Sequence, residues 1–204
     1  MSFIHSFAPS EQSMIGDRIY QMQLPGLYFV AAHRADDFRG FYAECALIPD
    51  LEHVLDRPFV AKQVNHARSE QHVARGFHAE AWNKLITVTH GTCACVWVDL
   101  RQHSSTFGQA VTLMLGDCEG ATYGSVFVEK GIGNGYVVVD GPADYVYVTD
   151  ALYRERDPQF DQAISLFDPE LAIQWPVPRM DMVLSQRDKQ AVTLQELRAR
   201  FSQQ

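Results

Sequence analysis

The feature that most constrains this chain is a train of short β-prone segments through its middle. Residues 85–89, 92–99, 110–115, 124–129, 135–140 and 144–149 are each rich in Val, Ile, Leu, Thr, Phe or Tyr. Turn signals separate them, among them His90-Gly91, Gly116-Asp117 and the DGPAD run at 140–144. Short strands recurring at roughly 8–12 residues predict an antiparallel sandwich or a closed barrel. Two earlier runs, 26–32 (GLYFVAA) and 59–64 (FVAKQV), carry the β pattern toward the N-terminus. Helical signals lie only at the periphery. Residues 48–56 form a short candidate before Pro58. A second candidate occupies 193–203, where Thr193 with Glu196 has the spacing of a capping box. The expectation is a mainly β protein, one domain over residues 1–204 with 1–23 as an N-terminal extension. A barrel of this size has room inside for one small ligand. Chemistry is therefore sought among polar residues on inward strand positions.

Composition sets the outer bounds. A hydrophobic fraction of 47% is enough for a substantial core, and no apolar run approaches the roughly 18 residues of a membrane span. Residues 1–12 have no basic start followed by an apolar stretch, so no secretory signal is read there. The net charge of −8 argues against nucleic acid or anionic membranes as partners. A few arginines in a pocket can still hold a small anion. Cys45, Cys93, Cys95 and Cys118 include no C-x-x-C, and Cys93 and Cys95 share one strand face, the pattern of small core residues. A reduced, cytoplasmic setting follows, without disulfide or zinc.

Several separated stretches carry a family resemblance. They are Asp37-Phe38-Arg39-Gly40-Phe41-Tyr42-Ala43-Glu44, the segment 62–69, Arg75-Gly76-Phe77-His78, and Lys84-Leu85 at a strand start. Asp99-Leu100-Arg101 with residues 104–108 follows, then the turn 131–136, Phe167-Asp168-Pro169 and Trp175-Pro176. In order and in register from about Leu24 to Leu194, they resemble the dTDP-4-dehydrorhamnose 3,5-epimerase family. The resemblance implies a cupin-type, jelly-roll-like antiparallel barrel acting without a cofactor on a nucleotide-linked 4-keto-6-deoxy sugar. It also implies a homodimer whose N-terminal strands cross between subunits. An otherwise unpaired barrel edge at that end favours a partner as well.

The chemistry asks for three roles. A ketone at C4 makes the protons at C3 and C5 removable, so the site needs a base, a stabiliser of the enolate oxygen, and an acid on the opposite face. His78 suits the base because an imidazole titrates near working pH. The resemblance implies that Asp168 hydrogen-bonds it and fixes its tautomer. Lys84 suits the oxyanion role, its ammonium acting in a lower dielectric than water. Tyr147 falls where the family carries its proton-returning tyrosine, although Tyr145 shares its strand face and local pattern does not separate the two. Arg39 and Arg75 are the candidates for the diphosphate, since guanidinium forks match phosphate oxygens. Glu44, Gln63, Asn65 and Asn134 read as polar lining residues, and Tyr153 as a platform for the base.

The chain departs from the family pattern in places. Asn134 stands where the family has a turn histidine, and cannot trade protons near neutral pH. The glutamine just after the catalytic histidine is missing, with Ala79 and Glu80 in its neighbourhood. The loop from His78 to Lys84 is short. A metal-dependent cupin isomerase or dioxygenase is a rival reading in which His78 and Glu80 supply ligands. It lacks the further histidines: position 134 is Asn, His90 lies at a turn, and His66, His72 and His103 read as loop residues. A non-catalytic nucleotide-sugar-binding module is the other rival. It would keep the arginines without needing the base, aspartate and lysine, all of which are present.

Overall fold

The computed structural model describes residues 4–156 and 160–202. Residues 1–3 of the expected extension and residue 203 of the expected terminal helix lie outside them. The strands run in chain order as β1 (Ile4–Ser6), β2 (Met14–Gly16), β3 (Ile19–Gln21), β4 (Leu27–Ala31), β5 (His33–Asp37) and β6 (Gly40–Glu44). Helix α1 (Ile48–Leu55) precedes β7 (Gln63–Ser69), β8 (Ala74–Ala79), β9 (Lys84–Asp99), β10 (Ala110–Gly116), β11 (Gly124–Val128) and β12 (Ile132–Thr149). A short β13 (Gln162–Ala163) and two helices, α2 (Gln186–Lys189) and α3 (Leu194–Phe201), complete the chain.

The framework is mainly antiparallel, and its two longest strands organise it. β9 and β12 pair along nearly their whole length, with register irregularities between Val138 and Tyr145. The first part of β9 pairs with β11 and the second with β10. The first part of β12 pairs with β8 and the second with β7. Each long strand thus belongs to two halves of the sheet and bends between them. The sequence pattern divides both, reading His90-Gly91 and DGPAD as chain reversals. Gly91 shows why they are bends instead. Its φ is +77°, and a Cβ there would stand 2.7 Å from the Asp140 carbonyl oxygen, so the two backbones press together at the fold.

The core explains why β9 is apolar on both faces. Cys93, Cys95 and Trp97 point inward with Phe29, Val126, Leu113 and Tyr145, joining both halves of the sheet. Phe7 beyond β1 meets Phe29 of β4 at a ring separation of 6.0 Å. The alternate residues Ala94, Val96 and Val98 face the other way, under Leu166, Leu171, Leu194 and Leu197 of the C-terminal segment. Burial pushes the Cys93 thiol up to about 12 and Cys95 well above its ordinary value, and all four cysteines are free.

Several local outcomes differ from expectation. Residues 59–64 do not form one strand: Phe59 is buried against Phe127 at 5.5 Å, and β7 begins only at Gln63. His66 lies on β7, its ring bonded to Asp144 at 2.9 Å, and is no loop residue. β8 and α2, which the strand pattern leaves out, carry His78 and Asp188. α3 instead follows expectation, with Thr193 and Glu196 forming the reciprocal cap. Among the described residues no helix is long and apolar enough to cross a membrane.

Candidate active site

β8 crosses β12 at the mouth of the core, and two glycines let it do so closely. Gly76 has a φ of +128°, and a Cβ on it would lie 2.4 Å from the Gly135 Cα. Backbone therefore meets backbone, with Asn134 opposite His78. Beside this crossing opens a cavity of about 540 Å³. Its walls are Arg75 and His78 of β8, Glu80, Lys84 of β9, and Asn134, Tyr136, Tyr145 and Tyr147 of β12. Ser185, Arg187 and Asp188 close one side.

The His78 imidazole is the best-defined group in it. Its Nε2 lies 2.6 Å from Asp188 Oδ1. The other carboxylate oxygen receives the Ser185 hydroxyl at 2.9 Å, and Ser185 Oγ accepts the Asp188 backbone N–H at 3.1 Å. Ser185 is the N-cap of α2, so a helix cap holds the carboxylate that holds the imidazole. Burial raises the Asp188 carboxyl, but the hydrogen bond and charge of His78, the Ser185 hydroxyl and Arg187 together carry it below the usual carboxylate range. An ionised carboxylate only accepts, so Nε2 carries a proton, and in the neutral imidazole the lone pair is on Nδ1.

Lys84 lines the same cavity, its side chain only 6% exposed. The ammonium donates to Asn134 Oδ1 at 2.5 Å and is ion-paired with Glu80. A buried ammonium held beside a cavity is a ready partner for an oxygen that gains charge. Tyr147 stands on the same side as a phenol. Burial, then the negative charge of Glu80, raise it above its ordinary value and keep it a proton donor. Tyr136 is pushed up to about 12, chiefly by burial, and stacks on Tyr145 at 4.3 Å. Its hydroxyl meets Ser69 Oγ at 3.1 Å, and Arg75 Nε donates to the same oxygen at 3.2 Å.

The structure brings His78, Lys84, Tyr147, Arg75 and Asn134 of the expected residues into one cavity. It does not bring Asp168 there. Both Asp168 oxygens are taken by backbone: Oδ1 accepts the N–H groups of Glu170 and Leu171, and Oδ2 that of Leu194 at 2.6 Å. This buried carboxylate ties a turn to the start of α3, and Asp188 stands against His78 in its place. Arg39 and Glu44 are elsewhere too. Both lie on the β5–β6 hairpin, which forms its own two-stranded sheet, and Arg39 is paired with Asp37 while its side chain is 75% exposed. Glu44 pairs with Arg18 at 3.3 Å.

Gln63 and Asn65 occupy the same face of β7 as Ala67, a cavity residue, but lie outside the lining. Gln63 Nε2 donates to Asn65 Oδ1 at 2.6 Å and its Oε1 accepts the Tyr153 N–H at 2.9 Å, so the three are joined. Tyr153 is exposed and edge-on to Trp82. Asp188, Ser185 and Arg187 escaped the sequence reading. Their signal was present, since Ser185-x-x-Asp188 is a cap pattern, but a cap does not reveal what its carboxylate touches. Among the described residues no group of three or more His, Cys, Asp or Glu is placed to hold a metal ion.

Comparison with known proteins gives one answer. The family model described as dTDP-4-dehydrorhamnose 3,5-epimerase matches residues 21–196. The dTDP-4-dehydrorhamnose 3,5-epimerase of Escherichia coli (strain K12) is 34% identical, the match covering 79% of this chain and 85% of that protein. Among solved structures, NovW, a 4-keto-6-deoxy sugar epimerase of Streptomyces spheroides, superposes with a TM-score of 0.82 at 28% identity and covers 90% of each chain. The epimerase RmlC of Legionella pneumophila, in complex with dTDP-4-keto-L-rhamnose, gives 0.77 at 31% identity over 88% of this chain and 95% of that one.

Proposed function

We infer the reaction from the premise that this chain belongs to the dTDP-4-dehydrorhamnose 3,5-epimerase family. It is an isomerase-class epimerase of a nucleotide-linked 4-keto-6-deoxy sugar in deoxysugar biosynthesis, inverting C3, C5 or both. The observation that carries the assignment of roles is the 2.6 Å contact of His78 with Asp188 in a cavity that also holds Lys84 and Tyr147.

In this reading His78 takes the proton from the carbon beside the ketone. The electron pair of that C–H bond moves onto the C4 oxygen as an enolate. The imidazolium then formed faces the Asp188 carboxylate, whose opposite charge stabilises it. Lys84 stabilises the enolate oxygen, and Tyr147 returns a proton to the carbon from the opposite face. Arg75 and Arg187 at the cavity wall support binding of the diphosphate, whose paired negative charges their guanidinium forks fit. Tyr153 and Asn65, joined through Gln63, are the residues assigned to the nucleoside end.

The proposed assembly is a homodimer. The β5–β6 hairpin supports it, because it projects Phe38, Tyr42 and Arg39 outward and leaves them largely without cover. Crossing to a second copy would cover those rings and deliver Arg39 to a diphosphate held there. Four free cysteines agree with a reducing, cytoplasmic setting. The test of the whole reading is incubation with NDP-4-keto-6-deoxyhexoses in heavy water, followed by NMR at C3 and C5. Solvent deuterium at either carbon is expected; its absence with every such sugar refutes the assignment.

A further inference from the structure

Two departures of the chain from the family pattern lie far apart in sequence, at Asn134 and in the neighbourhood of Glu80. In the structure both side chains hold one atom, the Lys84 Nζ. Glu80 comes from the turn after β8, Asn134 from β12 and Lys84 from the first position of β9, so three separate elements converge there. No other described role absorbs Glu80, which lines the cavity as a carboxylate with a mostly buried side chain.

An ammonium has three N–H donors on a flexible four-carbon stem, so a lysine in a roomy cavity has no preferred aim of its own. Here Asn134 Oδ1 accepts one donor while the Glu80 carboxylate, on a different element, holds the ammonium by charge, leaving an N–H for a substrate oxygen. We propose that Glu80 is a positioning residue which, with Asn134, clamps Lys84 so that its remaining N–H faces the developing enolate. This rests on the epimerase reading and adds to it a residue acting through Lys84. The carboxylate also compensates the ammonium's charge in a site where an unpaired buried cation is costly. Stabilisation of a transient charge depends on donors already in place, and that is what the clamp supplies.

The test compares Glu80→Ala with the conservative Glu80→Gln, which keeps an oxygen acceptor on the same stem. For Glu80→Ala, kcat for solvent exchange should fall about 10- to 100-fold while KM changes less than about threefold, as expected for a contact felt mainly in the transition state. Glu80→Gln should recover part of that loss, since it restores an oxygen at that position but not the charge. A second readout needs no turnover. The chain has four lysines (Lys62, Lys84, Lys130 and Lys189), so the Nζ signals of lysine-labelled protein are few. The Lys84 ammonium should exchange its protons slowly in the native protein and in Glu80→Gln, and rapidly in Glu80→Ala. An unchanged kcat, an equal loss in both variants, or a Lys84 signal still protected in Glu80→Ala would overturn the proposal. If the native protein itself incorporates no deuterium, the epimerase reading fails, and the lysine spectra alone still decide the clamp.

Discussion

Asp188→Asn isolates the charge that stands against His78, because it exchanges a carboxylate for an amide of the same shape. In the native site one oxygen faces His78 at 2.6 Å and the other receives the Ser185 hydroxyl at 2.9 Å. An asparagine can offer its oxygen to only one of them. If that oxygen stays on His78, the tautomer survives but the imidazolium formed on proton abstraction loses its counter-charge. Two unit charges about 4 Å apart at an effective dielectric near 20 attract by about 4 kcal/mol. His78 keeps 23% of its side chain open to solvent, which lowers the figure to roughly 2–4 kcal/mol. At about 1.4 kcal/mol per factor of ten, kcat should fall about 30- to 1,000-fold. If the amide instead turns its N–H toward Nε2, the proton moves to Nδ1 and the base is lost altogether, a larger effect. KM should stay within about threefold, since Asp188 acts through the imidazole.

The control is Asp168→Asn, which sequence resemblance alone would make the damaging change. Asp168 accepts three backbone N–H groups, so an amide there sets donor against donor and costs about 1–3 kcal/mol of stability. For a chain of this size that lowers Tm by about 2–12 °C. Exchange per folded molecule should hold within about threefold. Rates of deuterium incorporation at saturating substrate, set beside thermal melts of both variants, decide the matter. An Asp188→Asn enzyme at native speed with an inert Asp168→Asn enzyme refutes the assignment of Asp188.

Other outcomes follow from the same geometry. On the proposed roles, Tyr147→Phe removes the acid, so inversion should slow by about 10²- to 10⁴-fold while His78 still exchanges its own proton; NMR would read deuterium entering with retained configuration. Gly76→Ala drives a methyl into Gly135 and forces an alanine to a φ of +128°, which should cost about 2–4 kcal/mol in urea unfolding. The Asp188 carboxyl lies below its unfolded value near ~3.9, so it adds stability above about pH 4 that is lost as pH falls through the folded value. Asp188→Asn should therefore lose less stability than the native chain on acidification below about pH 4, measured by denaturant midpoints.

What the sequence displays most openly is the alternation of short apolar runs, because a barrel strand buries one face whatever its neighbours do. Where two runs make one bent strand, as in β9 and β12, the pattern shows two, since Gly91 serves a bend with the same residue type that would serve a reversal. That His78, Lys84, Tyr147 and Arg75 belong together was legible because the chemistry demands their types and the motifs order them along the chain, and they line one cavity. The partner of His78 was not. Asp168 and Asp188 both stand where a local turn or cap suits an aspartate, and each accepts local hydrogen bonds. They differ in what remains after those bonds are made. Asp168 has both oxygens filled by main chain, one of them by Leu194 from a distant part of the chain. Asp188 has an oxygen left over, and the approach of β8 to α2 turns it onto an imidazole. Arg39 makes the same point from the other side. Its chemistry suits a diphosphate, but its hairpin forms a sheet of its own and holds it, paired with Asp37, outside the cavity lining. Residue type is thus a local property, whereas a lone pair or a cation becomes available only through the packing of elements remote in sequence. That is why the single-site variants at 168 and 188, chemically the same substitution, should have opposite consequences.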